Sequence, residues 1–210
     1  MIRVLLADDH AVVRAGLREI LADTGDITVA GEASNGQEVL ANVRAQDFDV
    51  AVLDMSMPGR SGIELIKLVK DEKPRMRVLI LSMHSEQQYA VRALKAGASG
   101  YLTKDSAPDL LVAAIRRIAA GGAYVTPETA ERLAMDAAPG SEAAPHTRLS
   151  DREFHVFQLI AAGKSITQIA QQLSLSVKTV STHKTHILEK MKFANQAELI
   201  RYAIENKLII

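Results

Sequence analysis

The first 120 residues alternate between short apolar runs and longer segments with helical periodicity. The apolar runs are rich in β-branched or bulky residues, as buried strands are, and they are VLLA (4–7), ITVAG (27–31), DVAVLD (49–54), RVLILS (77–82) and GYLT (100–103). Apolar residues recur every three or four positions in the intervening segments, which are 11–23, 36–45, 61–71, 86–96 and 107–120. This alternation predicts a doubly wound α/β domain, in which helices cover both faces of a five-stranded parallel sheet.

The remainder of the chain shows helical patterns and no strand pattern. TPETAERLAMD (126–136) begins like a short helix, and the proline-containing AAPGSEAAPHT (137–147) is typical of a flexible linker. Ser150 and Glu153 then have the spacing of a capping box, and further helical segments follow. We therefore predict an α/β domain at 1–121, a short helix and linker at 122–147, and a small all-α domain of four helices at 148–210.

Charge is distributed unevenly along a chain whose formal net charge is zero. Residues 148–210 contain nine lysines and arginines against five acidic residues, so the remaining residues carry a net charge of −4. A basic carboxy-terminal part suggests a polyanionic partner. The chain has no cysteine, which excludes disulfides and a cysteine nucleophile. Without an apolar run long enough to span a bilayer, we expect a cytoplasmic location and no membrane partner.

Polar residues follow several of the predicted strands. Asp8 and Asp9 end the first strand, Asp54 ends the third, Ser82 ends the fourth, and Lys104 follows the fifth. A strand order of 2-1-3-4-5 would bring these side chains into one pocket at the carboxyl edge of the sheet. Any one of them has an ordinary explanation, because an aspartate at a strand end often caps the next helix and a lysine is usually solvated. Their common position favours a site.

Three carboxylates in one pocket form a hard-oxygen site that suits Mg²⁺. Asp54 is the best-placed nucleophile, because it ends a buried strand and the DMSMPG segment is expected to turn sharply at Pro58-Gly59. Lys104 could pair with a phosphoryl group as a point charge, and the hydroxyl of Ser82 could donate a hydrogen bond to it. The pattern therefore indicates phosphoryl chemistry at Asp54.

The segment SITQIAQQLSLSVKTVSTHKTHILEKM predicts a helix-turn-helix. Helices at 166–173 and 177–191 flank a three-residue turn, and in such motifs the second helix enters the major groove of DNA. Short hydroxyls and lysines on that helix could contact base edges and phosphates. A polar helix face can also be merely solvated. His183 and His186 are three residues apart, but without further ligands they do not indicate a metal site.

Residues 1 to about 120 resemble the receiver domain of two-component response regulators. The resemblance lies in DD after strand 1, VLDMSMPGRSG around strand 3, LS after strand 4 and GASGYLTK at strand 5. It implies that a histidine kinase or a small phosphodonor phosphorylates Asp54, and that Ser82 and Lys104 contact the phosphoryl group. It further implies Tyr101 as the aromatic switch, and we expect its ring to be partly buried; a plain packing role in the strand is the alternative. The implied Mg²⁺ ligands are Asp8, Asp9, Asp54 and the backbone carbonyl of Ser56.

Residues 148 to 210 resemble the DNA-binding domain of the NarL/FixJ (LuxR-type) transcription factors. LSDRE and GKSITQIAQQLSLSVKTVSTHKTHILEKM carry this resemblance. It implies base contacts by Ser181, Thr182 and Thr185, and it makes Lys178 and Lys184 the candidates for phosphate contacts, with Thr179 beside them. Relatives commonly have Lys or Arg where this chain has Ser181, which weakens the expected base contact. In relatives the last helix, here AELIRYAIENKLI, helps two domains pair; simple core packing is the alternative.

Together these features predict a response regulator transcription factor in which phosphorylation of Asp54 switches dimerisation and sequence-specific DNA binding. Expected partners are a sensor histidine kinase, double-stranded DNA and a second copy of the chain, with RNA polymerase a further candidate. We expect no enzyme activity beyond self-phosphorylation and slow autodephosphorylation.

Three alternatives stay open at this point. A haloacid-dehalogenase-like phosphohydrolase would need an acid two positions after Asp54, where this chain has Ser56. Ser181 favours a binding module that sequesters a protein and no longer reads DNA. A ligand-sensing LuxR-type regulator fits the tail but not the acidic front pocket.

Overall fold

The chain folds into two compact units, Met1–Leu133 and Ala134–Ile210. The computed structural model describes residues 1–57, 62–83, 87–106, 108–137, 144–173, 175–206 and 208. Within these ranges no helix combines the length and apolar character needed to cross a membrane. The predicted turn at Pro58-Gly59 and most of the predicted linker lie outside the described residues.

The first unit contains the predicted alternation of strands and helices. Its elements in chain order are β1 (Ile2–Ala7), α1 (Ala11–Ala22), β2 (Ile27–Ala33), α2 (Gly36–Ala45), β3 (Val50–Asp54), α3 (Gly62–Glu72), β4 (Arg77–Ser82), α4 (Gln87–Lys95), β5 (Gly100–Thr103) and α5 (Pro108–Ala119). A further helix, α6 (Pro127–Ala137), begins in this unit and ends in the second. The predicted helices are confirmed to within a residue at their described ends.

The five strands form one parallel sheet in the predicted order β2-β1-β3-β4-β5. β1 begins at Ile2 and β2 extends to Ala33, each two residues beyond the predicted apolar run. Arg3 and Glu32 interrupt the apolar pattern in these extensions, yet both residues pair with the neighbouring strand. Backbone pairing thus continues where polar side chains conceal it in the sequence.

The core lies between the sheet and its helices. β3 is buried along its whole length, as expected for a central strand of a parallel sheet covered on both faces. One cluster joins β1, β3 and β4 to α5 and includes Val4, Leu6, Val52, Leu79, Ala114, Ile115 and Ile118. This packing fixes the carboxyl ends of β1, β3 and β4 side by side.

Tyr124 covers part of the outer edge of β5. Its N–H donates to the carbonyl of Ser99 at 3.0 Å, and its carbonyl accepts from the N–H of Tyr101 at 3.1 Å. A Cβ added to Gly100 would lie 2.8 Å from the Tyr124 carbonyl oxygen, so the close approach requires glycine at position 100. The sequence pattern did not predict this pairing.

Beyond the end of α6, the described residues of the second unit form a 3₁₀ turn (Pro145–Arg148) and four α-helices. These are α7 (Asp151–Ala161), α8 (Ile166–Gln172), α9 (Val177–Met191) and α10 (Gln196–Glu205). The predicted capping box is confirmed: the Ser150 hydroxyl accepts from the N–H of Glu153, and the Glu153 carboxylate accepts from the N–H of Ser150. α8 and α9 form the predicted helix-turn-helix.

The core of the second unit collects one apolar face from each of the four helices. Its fully buried members include Phe154, Phe157, Ile169, Val180, Ile187 and Leu199. The prediction that the last helix follows AELIRYAIENKLI throughout is wrong, because α10 ends at Glu205. The Asn206 side-chain amide donates to the carbonyl of Tyr202, and the N–H of Leu208 donates to the carbonyl of Ala203. These bonds turn the chain so that Leu208 is buried.

Candidate functional site

Acidic side chains meet at the carboxyl edge of the parallel sheet. Asp8 follows β1 and Asp54 ends the neighbouring β3, and their side chains are only 2% and 1% exposed. Asp9 is more accessible, with 32% of its side chain exposed. Ligand atoms of these three residues and His10 all lie within 4.8 Å of one another. The structure therefore brings together the three carboxylates that the sequence placed at strand ends.

Lys104 connects the two buried carboxylates. Its Nζ lies 2.6 Å from Oδ2 of Asp8 and 3.1 Å from Oδ2 of Asp54, and only 10% of its side chain is exposed. The N–H of Lys104 donates to the carbonyl of Ser82 at 2.8 Å, which ties the residue after β5 to the end of β4. The ammonium is consequently held at the Asp54 carboxylate.

The electrostatics of the pocket are set by burial and by this lysine. Burial raises the pKa of Asp54 above its usual range, although Lys104 and the N–H of Ser56 act in the opposite direction. Burial alone would lower the pKa of Lys104, but Asp8 and Asp54 outweigh it, so the pKa of Lys104 is raised. Lys104 is therefore charged at neutral pH, and charge on Asp54 depends on its cationic neighbours.

His10 is a member of the pocket that the sequence analysis missed. Its Nδ1 lies 2.9 Å from Oδ1 of Asp9 and 3.3 Å from Oδ1 of Asp8, while 68% of its side chain is exposed. Arg14 also reaches the pocket, where its guanidinium donates to the backbone carbonyl of Asp8 at 2.6 Å. Both follow the acidic pair on α1 or at its start, so their nearness in sequence was the available signal.

Ser56 and Ser82 lie beside the acidic residues. The N–H of Ser56 donates to Oδ1 of Asp54 at 3.2 Å, so the loop after β3 turns back toward that carboxylate. Ser82 is fully buried at the end of β4, where Asp54 of the neighbouring strand pairs with Leu81. Both serines therefore lie near Asp54, as a contact with a group on that carboxylate would require.

Tyr101 is more deeply buried than the partly buried ring that was expected, with 6% exposed. Tyr124 pairs with the backbone of β5 at this position, which adds backbone beside Tyr101. A cavity of about 220 Å³ adjoins this ring and is lined by Ala90, Tyr101, Leu102, Thr103, Ser106, Val125, Thr126, Glu128 and Thr129. Residues from α4, β5 and the start of α6 therefore surround one cavity beside Tyr101.

The predicted DNA-binding residues lie on α9. Ser176 caps this helix by accepting from the N–H of Thr179, and its hydroxyl also lies 2.8 Å from that of Thr179. The hydroxyls of Thr182 and Thr185 donate to backbone carbonyls four residues earlier. Side chains on the exposed face are Lys178, Thr179, Ser181, Thr182 and Thr185. This face offers short polar groups and a lysine, as a groove-reading helix would.

Lys184 differs from the other predicted contacts. It is half-buried, and its Nζ donates to Oε1 of Gln196 on α10 at 2.6 Å. A phosphate contact by Lys184 would require that hydrogen bond to be shared or given up. The other predicted lysine on the same helix, Lys178, is exposed.

Two further side chains hold the recognition helix in place, and the sequence analysis missed their roles. The buried carboxylate of Glu153 accepts from Nζ of Lys190 on α9 at 2.7 and 2.8 Å. Burial would raise the pKa of Glu153, but Lys190 and the capping-box donors of Ser150 outweigh it and lower the pKa. Arg152 donates to the carbonyl of Leu173 at the end of α8. α7 thus supports both helices of the motif.

Both units match known protein families. Residues 4–116 match the response regulator receiver domain, and residues 147–203 match the bacterial regulatory proteins of the luxR family. The chain belongs to the response regulators of the NarL/FixJ family, which are DNA-binding transcription regulators and not enzymes.

Individual relatives match over nearly the whole chain. The response regulator UvrY of Escherichia coli O6:H1 is 37% identical over 209 residues, which cover 99% of this chain and 96% of UvrY. The oxygen regulatory protein NreC of Staphylococcus carnosus is 36% identical over 214 residues and 99% of each chain. RcsB of Salmonella enterica serovar Typhimurium, solved bound to a promoter with the phosphomimetic BeF₃⁻, aligns with a TM-score of 0.66 and 29% identity, covering 96% of this chain and 97% of that chain.

Proposed function

We propose that Asp54 is the phosphoacceptor of this response regulator and that its phosphorylation controls DNA binding by α9. The observation that carries the proposal is the pocket at the sheet edge, where the buried Asp54 carboxylate lies 3.1 Å from Nζ of Lys104 and close to two further carboxylates. The receiver domain would span 1–121, the connecting helix and linker 122–147, and the DNA-binding domain 148–210.

Phosphoryl transfer would use Asp54 as the nucleophile. A carboxylate oxygen attacks the phosphorus of the donor, an O–P bond forms, and the P–N bond of the phosphohistidine donor breaks with its electron pair leaving on nitrogen. Lys104 already lies at this carboxylate, so it can pair with the arriving phosphoryl oxygens without a large movement. Hydrolysis of the aspartyl phosphate by water would later return the free carboxylate.

The pocket fits Mg²⁺. Among the side chains that the structure describes, three carboxylates meet the ammonium of Lys104 and the nearby guanidinium of Arg14, so the acidic groups still outnumber the permanent cations. Oxygen donors of this kind are the ligands that Mg²⁺ prefers, and the ion would offset the charge of the phosphoryl group. Asp8, Asp9, Asp54 and the carbonyl of Ser56 would hold it.

Phosphorylation would be transmitted through Ser82 and Tyr101. A phosphoryl group brings a charge of about −2, which can attract the Ser82 hydroxyl at the end of β4. Tyr101 lies on the adjacent β5, and its N–H is bonded to Tyr124 in the segment that precedes α6. A change at Tyr101 would therefore reach the segment leading to the DNA-binding domain.

DNA contacts would come from α9. Ser181, Thr182 and Thr185 are the candidates for base edges, and Lys178, Thr179 and Lys184 for phosphates. A dimer would present two such helices to half-sites about one helical turn apart. On α10, Leu199 and Ala203 are fully buried in the core while Ile204 is 59% exposed, so Ile204 is our candidate for the dimer contact on this helix. A sensor histidine kinase and RNA polymerase complete the proposed partners, and the site of action is the cytoplasm.

Selection of genomic DNA fragments tests this function directly. Purified protein is incubated with the fragments with and without beryllofluoride and Mg²⁺, the fluoride complex standing in for the phosphoryl group on Asp54. We expect a shared inverted repeat to be enriched only in the activated sample. Equal enrichment in both samples would contradict control by phosphorylation, and no enrichment in either would favour the sequestering module.

Asp54→Asn is the matched control for that selection. The variant keeps the shape of the side chain but replaces the nucleophilic carboxylate with a neutral amide, so we expect no phosphoryl incorporation from a small phosphodonor and no response to beryllofluoride. Incorporation is measured by intact mass. A variant labelled to the wild-type level would remove Asp54 from the proposal.

A further inference from the structure

His10 is an unusual residue for the N-cap position of a helix. It occupies the N-cap position of α1, where Ser, Thr, Asp and Asn are preferred because their oxygens accept from the first N–H groups. The His10 side chain makes no such hydrogen bond. A residue that departs from a local rule in this way often serves a neighbouring site.

The imidazole of His10 is directed into the acidic pocket. Its Nδ1 lies close to Oδ1 of both Asp9 and Asp8, at 2.9 and 3.3 Å. Lys104 contacts the other oxygen of Asp8, Oδ2, at 2.6 Å. The two oxygens of Asp8 therefore have different neighbours, with His10 at Oδ1 and Lys104 at Oδ2.

We infer that His10 is a further ligand of the cation in this pocket and raises the affinity of the pocket for first-row transition-metal dications such as Co²⁺ relative to Mg²⁺. This inference rests on the acidic pocket that we propose as the Mg²⁺ site. Ligand atoms on one ion at about 2.0–2.2 Å lie roughly 3–4 Å apart, close to the 4.8 Å that spans the ligand atoms of the four residues. The exposed imidazole has room for the adjustment.

The ligand atoms of the pocket determine which ions bind more tightly when His10 takes part. Imidazole nitrogen is a good ligand for cobalt, nickel, copper and zinc, whereas Mg²⁺ favours oxygen and binds nitrogen poorly. A pocket of three carboxylates alone would bind these metals in their general order of affinity and would add little further preference for one ion over another. A pocket that includes His10 gains affinity for the transition metals and leaves that for Mg²⁺ nearly unchanged.

His10→Asn in the full-length protein tests this inference, because asparagine is a good N-cap residue and preserves the start of α1. We measure Co²⁺, Mn²⁺ and Mg²⁺ affinities by calorimetry, and coupling of the imidazole nitrogen to bound Mn²⁺ by pulsed electron paramagnetic resonance. The expected result is a loss on the order of tenfold in Co²⁺ affinity, with Mg²⁺ affinity changed by less than about twofold. The nitrogen coupling should disappear.

Two further variants separate the possible outcomes. His186→Asn removes another half-exposed histidine and should leave metal affinity and nitrogen coupling unchanged, whereas Asp9→Asn should weaken all three metals. Unchanged Co²⁺ affinity in His10→Asn, or an equal loss for Mg²⁺, overturns the ligand role while leaving the acidic site intact. If Asp9→Asn also has no effect, the acidic pocket itself is not the metal site and the proposed function fails with it.

Discussion

The acidic pocket and the exposed face of α9, which we call the recognition face, differ in how their polar residues are brought together and in how deeply these residues are buried. In the pocket, Asp8, Asp54 and Lys104 come from the ends of three different strands and are almost completely buried. On the recognition face, Lys178, Ser181 and their neighbours share one helix and are exposed. The pocket is therefore assembled by the sheet, whereas the face is complete within fifteen residues of α9.

This difference determines how much each side chain affects its neighbours. Charges that are removed from water interact strongly, and a buried charge that loses its partner is costly. Exposed polar groups are screened by water and salt, so each one acts nearly independently until DNA arrives. Substitutions in the pocket should alter folding and activation together, and those on the face should alter DNA binding alone.

Lys104→Met should have the largest effect on stability. It leaves Asp8 and Asp54 buried without their ammonium, and we expect the free energy of unfolding of the receiver domain to fall by about 3 kcal/mol at pH 7. The loss should shrink as the pH falls, because the pKa of Asp54 is already raised by burial and rises further without Lys104. Added Mg²⁺ should restore part of the stability.

Urea denaturation at several pH values, with and without Mg²⁺, measures this effect. Lys73→Met is the matched control, because Lys73 forms an ion pair with Asp47 at 2.6 Å but both side chains are substantially exposed. We expect the free energy of unfolding of the control to fall by less than about 1 kcal/mol. Equal losses of unfolding free energy in the two variants would show that burial does not increase the contribution of Lys104 to stability.

Lys190→Met should have a smaller effect, confined to the DNA-binding domain. It removes the partner of the buried Glu153. Because 43% of the Lys190 side chain is exposed, water weakens this ion pair, and we expect the free energy of unfolding to fall by about 1–2 kcal/mol. Because the pKa of Glu153 is lowered in the folded protein, the stabilisation is fully present above the ordinary value of 4.5 and is lost as the pH falls through the folded-state pKa.

Hydrogen exchange of α9 amides at pH 7, and thermal unfolding between pH 7 and pH 3, measure this change. The difference between wild type and Lys190→Met should be largest at pH 7 and should narrow below about pH 4.5. A difference that is independent of pH would mean that Lys190 stabilises α9 by packing and not through its charge.

Lys178→Ala should leave stability unchanged and weaken DNA binding. Its exposed ammonium is our candidate for a phosphate contact, so affinity should fall for all sequences alike and the salt slope should decrease by about 1. Ser181→Ala is the contrasting variant, because a base contact would change preference among sequences and leave the slope unaltered. Titrations of specific and unrelated DNA at several salt concentrations distinguish the two results.

Much of the fold could be predicted because its signals are local. The alternation of apolar runs and helical periodicity gave the elements, and the order 2-1-3-4-5 placed Asp8, Asp9 and Asp54 together. The capping box of Ser150 and Glu153 was equally readable, since its partners are three residues apart. The end of α10 was not, because it depends on Leu208 turning back into the core.

The sequence by itself determined which chemistry is present: carboxylates at strand ends, a lysine after β5, and hydroxyls and lysines along one helix. Only the tertiary structure decided the partners. Lys104 lies between Asp8 and Asp54, Tyr124 pairs beside Gly100, and Glu153 meets Lys190 across 37 positions of the chain. Periodicity and capping are fixed by neighbours a few residues apart, whereas these contacts depend on how packed strands and helices direct side chains that are distant in sequence.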